Sequence, residues 1–175
     1  GSAVNAAIRI AAAGIVVIGG GYAGAFAASV LSVRAAQLKQ FYLALTQMGF
    51  NIGFLKLPVA QAAEGAAKTG HGAVSRVLLN AAEEMKNAEP PVAFERALHR
   101  NRSALCLSAE DEEILKDFAA NLGAGDTERE MNNIKAACAK LKLAQTAAET
   151  ERDRRGKLWR GIGLLGGIFA AVMLL

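Results

Sequence analysis

One chemical signature is visible near the start of the chain. The segment Ile15-Val16-Val17-Ile18-Gly19-Gly20-Gly21-Tyr22-Ala23-Gly24 places GxGxxG behind an apolar stretch. Glycines at that spacing let a backbone approach a pyrophosphate at a helix N-terminus, the opening of a flavin or nicotinamide oxidoreductase. Such a fold also needs an acidic residue about 20 positions further on for the ribose hydroxyls. The first carboxylate in this chain is Glu64, and no strand–helix alternation follows the motif. A helix face of small residues in lipid explains the same glycines, because Gly and Ala allow helices to approach closely. The cofactor reading is therefore the rival from a different class, and the membrane reading is preferred.

Other reactive side chains are sparse. His71 and His99 have no Cys or acidic partner at metal-ligand spacing. Cys106 and Cys138 fall short of the four ligands of a structural zinc site, and Cys138 lies on an apolar stripe. Both are expected as reduced thiols in a cytoplasmic domain. Ser75 and Ser103 lack a nucleophile context. The expectation is a protein without catalytic residues, metal or cofactor. What remains is charge. Glu110, Asp111, Glu112 and Glu113 form a carboxylate cluster, joined beyond a turn by Asp126, Glu128 and Glu130. That cluster is the candidate docking face for a basic surface on a partner; ordinary charging of a helix N-terminus is the simpler use. Arg152, Arg154, Arg155, Lys157 and Arg160, with Trp159 among them, read as a membrane-interface cluster that attracts anionic lipid and fixes topology.

The elements that must hold these residues follow from composition and charge. Of the 175 residues 53% are hydrophobic but only 6% aromatic, and charged residues make up 21%, which excludes disorder. Two cysteines exclude a disulfide scaffold. Residues 1–63 hold four basic and no acidic side chains, residues 64–125 seven and ten, and residues 126–175 nine and six. The basic excess sits at the two ends, which argues against a nucleic-acid footprint on the folded middle. Residues 10–33 carry no formal charge and as a helix would measure about 36 Å, enough for a hydrocarbon core of about 30 Å. Residues 161–175 form a second, shorter uncharged run, extended by Leu158 and Trp159 if Arg160 snorkels. Basic residues cluster on the inner flanks of these runs, so the positive-inside rule places the middle in the cytoplasm. A secretory leader cleaved near Ala25-Phe26-Ala27 competes, but its apolar stretch exceeds a usual h-region.

Between the ends the periodicity is helical. Leu38, Phe41, Tyr42, Leu45 and Met48 follow i, i+3, i+4 spacing, Pro58 suits a first turn, and Pro90-Pro91 is expected to end one element, with a short helix following from Pro91 to His99. Ser108 predicts an N-cap with Asp111 as its box partner, and Asp126 a cap for the last helix, whose stripe runs Ile134, Ala137, Cys138, Leu141, Ala144, Ala148. The expected architecture is all-α: an N-terminal transmembrane helix over 8–33, a cytoplasmic helical bundle over 34–157 and a C-terminal transmembrane helix over 158–175.

These landmarks, in this order, resemble the stage III sporulation protein AB family of endospore-forming bacteria. Leu107-Ser108-Ala109-Glu110-Asp111-Glu112-Glu113-Ile114-Leu115 is similar to its Leu-x-x-x-Asp-x-x-Ile-Leu element. Leu122-Gly123-Ala124-Gly125-Asp126 resembles its Leu-Gly-x-x-Asp turn, and Lys157-Leu158-Trp159-Arg160-Gly161 its ending. Glu130 departs from the pattern, which has Gln there. The resemblance implies a non-enzymatic mother-cell membrane protein of the channel complex that links mother cell and forespore. It further implies a cytoplasmic domain similar to the GspF-like platform proteins of type II secretion and type IV pilus machines, and a platform protein of another such machine is the runner-up reading. The implied partners are a secretion-type ATPase (the AA protein of the same set), other membrane subunits of that set and the lipid bilayer, with no nucleic acid.

Overall fold

The computed structural model describes the backbone of residues 2–174 and the side chains of residues 3–163, 165, 166, 169 and 172. The order is α1 (Ser2–Gly53), α2 (Val59–Thr69), α3 (Gly72–Glu84), α4 (Pro90–Asn101), a 3-10 turn (Arg102–Ala104), α5 (Ala109–Ala120) and α6 (Thr127–Leu174). Among the described residues there is no strand, as the all-α reading expects. Two compact units result: Val33–Ala148, and the chain ends up to Ser32 and from Glu149. The arginine-bearing stretch before Trp159 therefore groups with the chain ends, not with the middle.

The central unit is built on the second half of α1. Leu38, Phe41, Leu45, Met48 and Ile52 are buried, three and four residues apart, and form one stripe. Against it lie α2 and α3, whose buried faces are rich in alanine, and the larger side chains Phe94, Leu115, Phe118 and Leu141. Burying each of the latter contributes about 1.5–3 kcal/mol. The rings of Phe94 and Phe118 meet edge to face, 5.3 Å apart at 77°.

Chain breaks fall where local chemistry puts them, with one difference from expectation. Past Gly53 the chain turns back, Leu57 N–H donating to the Asn51 carbonyl at 3.0 Å while Lys56 adopts φ 56°. Pro58 precedes α2, and its carbonyl accepts from Ala62 N–H at 2.9 Å. Pro90-Pro91 do not end α3, which has already stopped at Glu84; they open α4, the short helix expected from Pro91 to His99. A proline at the first helical position loses no bond, since that N–H has no partner inside the helix. Gly123 stops the chain after α5 with φ 74°, and a Cβ there would lie 2.7 Å from Pro90 Cγ. The turn thus needs glycine twice over, for conformation and for space.

One polar cluster joins α1 to the chain around α5. Arg34 grips Asp111 with both ends of its guanidinium, Nε to Oδ2 at 2.6 Å and Nη2 to Oδ1 at 2.9 Å, and Nη2 also donates to Ser108 Oγ at 3.2 Å. Ser108 and Asp111 form the reciprocal capping box expected from their spacing. One turn along α1, Gln37 donates to the Ala104 carbonyl at 3.0 Å and accepts from Cys106 N–H at 2.7 Å. Asp111 is 1% exposed. Burial pushes its carboxyl up, but the Arg34 hydrogen bonds, the Ser108 amide and the Arg34 charge outweigh burial and hold it below the ordinary range. The stability it confers is present above the ordinary aspartate value of about 3.9 and is lost as pH falls through the lower folded-state value. In the full chain in detergent, Arg34→Met should cost roughly 3 kcal/mol at neutral pH, because a buried carboxylate loses its counter-charge. Adding Asp111→Leu should regain part of it, less about 1 kcal/mol for the missing cap. Unchanged melting of the single variant would refute the pair as a structural tie.

Candidate functional site

The carboxylates singled out by sequence do not share one surface. Glu110 and Glu113 are exposed on α5, but Asp111 is inside, holding Arg34. Glu112 is half-buried and paired with Arg102 at 3.0 Å. Asp126 is exposed and caps α6, its Oδ1 accepting from Arg129 N–H at 3.0 Å. Glu130 is 4% exposed, and neither of its oxygens has a hydrogen-bond partner. Asp111 and Glu130 thus leave the docking face, because carboxylates beneath the surface cannot meet a partner.

What stays outside is a stripe with a shallow groove. Glu110, Glu113 and Asp117 line it with Ala109, Ile114 and Lys140, around about 420 Å³ between α5 and α6. Lys140 Nζ contacts Asp117 Oδ2 at 3.1 Å, leaving Glu110 and Glu113 as the carboxylates without a salt bridge there. Asp117 was missed by the sequence reading, although it stands four residues after Glu113 and seven after Glu110. A second cleft of about 420 Å³ lies beside α4 and α5, with Leu98, Leu105 and Leu107 between Glu95, His99, Arg102, Glu112 and Lys116.

The cysteines and histidines are spread apart. Both cysteines are free and half-buried. Cys138 lies 3.7 Å from Thr46 Oγ1 and 3.8 Å from the Tyr42 carbonyl, and burial pushes its thiol up against the opposing Thr46 contact. Such a thiol is a weak nucleophile. His71 is exposed just before α3, and His99 is exposed in the last turn of α4. Among the described residues no three His, Cys, Asp or Glu side chains converge as a metal site would require.

The chain ends give the glycines a use. All of Gly19, Gly20, Gly21 and Gly24 lie inside the uninterrupted helix α1, so no strand-to-helix turn exists to cradle a pyrophosphate and the oxidoreductase alternative fails. Gly20 and Gly24, four residues apart, instead form a notch for Trp159 of α6. A Cβ on Gly20 would sit 3.5 Å from Trp159 Cζ3, and one on Gly24 would overlap the indole ring. Around Gly19 and Gly21 there is open space. Trp159 is therefore committed to a helix pair, a tighter role than an interfacial anchor. Nearby, Arg154 and Arg155 both pair with Glu151, at 3.2 and 2.7 Å, and Arg152 with Asp153 at 2.9 Å. Lys157 and Arg160 are exposed. The basic cluster is thus partly neutralised by its own helix. Within α1 one stretch is long and apolar enough to cross a membrane, with mean hydropathy 1.8 over 18 residues and none of that window buried. The apolar run expected over 161–175 continues the backbone of α6 as far as Leu174 and ends on side chains outside the described residues.

Comparison with known proteins bears on the whole length. The family model for stage III sporulation protein AB matches residues 9–175. The chain belongs to the stage III sporulation protein AB family. It is 23% identical over 170 residues to the Stage III sporulation protein AB of Bacillus subtilis (strain 168), covering 96% of this chain and 99% of that one. A solved structure of a stage III sporulation protein AB shares the fold with a TM-score of 0.64 at 24% identity, over 70% of this chain and 98% of the other. This is accordingly a sporulation-related protein. In this family member the resemblance noted at Leu107–Leu115 has a physical core: its aspartate is Asp111, the residue that both caps α5 and holds Arg34. The glycine of the Leu-Gly-x-x-Asp turn is Gly123, the one with positive φ against Pro90.

The notch distinguishes glycines that sequence alone treats alike. Gly24→Val should weaken the helix pair by about 1–3 kcal/mol, the usual range for overpacking, whereas Gly21→Ala should leave it unchanged. Disulfide trapping between cysteines introduced at Val17 and Gly166, where a Cβ on Gly166 would lie 3.7 Å from Val17 Cγ2, reads the pairing in membranes. Equal trapping in both variants would disprove the notch.

Proposed function

We propose that this member of the stage III sporulation protein AB family is a non-enzymatic membrane scaffold of the channel complex that joins mother cell and forespore. Its middle unit faces the mother-cell cytoplasm, and the two chain ends enter the bilayer together. The uncharged, uncovered stretch of α1 and its pairing with α6 through Trp159 support the anchoring role. The basic residues flanking both ends on the inner side support the orientation.

The observation that carries the docking role is the carboxylate stripe on α5. Glu110 and Glu113 are exposed and free of salt bridges among the described residues. Their helix is fixed to α1 by a buried ion pair, so the charges are presented on a firm support. Complementary charge steers encounter and orients partners more than it adds affinity. The partner is the basic surface of a secretion-type ATPase, as in the GspF-like platform arrangement that the family resemblance implies, with other membrane subunits alongside. Glu110→Lys with Glu113→Lys, in full-length protein in detergent, should slow association with the cognate ATPase by about tenfold at low salt and much less at high salt. Glu112→Gln is the internal control, since Glu112 already belongs to Arg102. An unaltered association rate at low salt would remove α5 from the docking surface.

A further inference from the structure

Glu130 is an ionisable side chain that, among the described residues, occupies a position against its chemistry. It stands in the first turn of α6, 4% exposed, four residues before buried Ile134 and eleven before buried Leu141. It therefore lies on the inner stripe of the helix. Both carboxyl oxygens are buried without a hydrogen-bond partner. The turn after α5 passes over it, and the amides of Gly123 and Ala124 face the carboxyl from outside hydrogen-bonding geometry. That turn is pinned from its other side, where Pro90 of α4 fills the space beside Gly123.

Among the described residues no cation forms a salt bridge with it. The charged residues on the surrounding elements are Glu89 beside Pro90, Lys116 and Asp117 on α5, Asp126, Glu128 and Arg129 around the turn, Lys135 further along α6, and Lys56 past α1. All of them are exposed. Arg129, the nearest cation in sequence, lays its stem over Gly125. Burial drives the Glu130 carboxyl above the ordinary range, against the two backbone amides that pull it down. A carboxylate here must either keep its proton or gain water, and only the second requires the turn to move.

We infer that Glu130 is a proton-operated latch: as the neutral acid it lets the Leu122–Asp126 turn close over the start of α6, and on losing its proton it opens that turn to water. The direction follows from linkage. A group that binds its proton more tightly when folded gives its stability in full below the ordinary glutamate value of about 4.3, and the stability fades as pH rises through the folded-state value. The latch thus loosens toward alkaline pH, opposite in sense to the Arg34–Asp111 tie, and it is independent of the docking role proposed above.

The test uses the full chain in detergent, with selectively labelled glutamate. The carboxyl carbon of Glu130 should titrate above the range of the exposed glutamates. Amide exchange at Gly123, Ala124 and Gly125, corrected for intrinsic pH dependence, should lose about tenfold protection for each pH unit above that midpoint. Glu130→Gln keeps the shape and cannot ionise, so its turn should show less than a twofold change over the same range. A Glu130 midpoint at the ordinary value, or a Glu130→Gln turn that opens with pH as the parent does, would overturn the inference. Should Glu130→Gln fail to fold, the titration of the parent protein decides alone.

Discussion

The central unit depends on a single buried charge being answered. Asp111 sits almost wholly out of water, and Arg34 meets it from a helix 77 residues earlier in the chain. The pair does more than neutralise a carboxylate. Asp111 also closes the capping box of α5, so the same oxygens that accept from Arg34 set where α5 begins. Gln37, one turn further along α1, takes up both the carbonyl and the amide of the connection leading into that cap. Two residues of one helix thereby specify the path of the segment from Ala104 to Asp111. That is a use of buried polarity in which position, more than net stability, is gained.

Much of this was legible, because helices announce themselves locally. The stripe Leu38, Phe41, Leu45, Met48, the Ser108–Asp111 box, the Asp126 cap and the stop at Gly123 all rest on neighbours within a few residues. The Arg34–Asp111 pair had no such signal, since contact across 77 positions leaves no periodic trace. Burial of the two interior acids did leave one. Asp111 is in phase with buried Leu115, Phe118 and Leu122, and Glu130 with buried Ile134, Ala137 and Leu141. Reading both as surface charge put side-chain type ahead of phase.

The glycines teach a related lesson about motifs. GxGxxG is a statement about backbone approach, and backbone approach is useful to more than a phosphate. In α1 the close neighbour is an indole, and only the two glycines on its side are needed. Spacing of four selects them, which is the geometry of helix pairs and not of a dinucleotide cradle.

Alanine dominates the buried side of α2: Ala62, Ala63, Ala66 and Ala67 are all at or near zero exposure. A methyl group has no rotamer to freeze, so this wall is assembled without side-chain ordering cost. It also has nothing to trim and no slack to yield. Shrinking such a position to glycine costs about 1 kcal/mol in helix propensity, while an added carbon overpacks a wall already closed to water. Natural variation along α2 is therefore expected to keep alanine at these four positions and to stop short of valine.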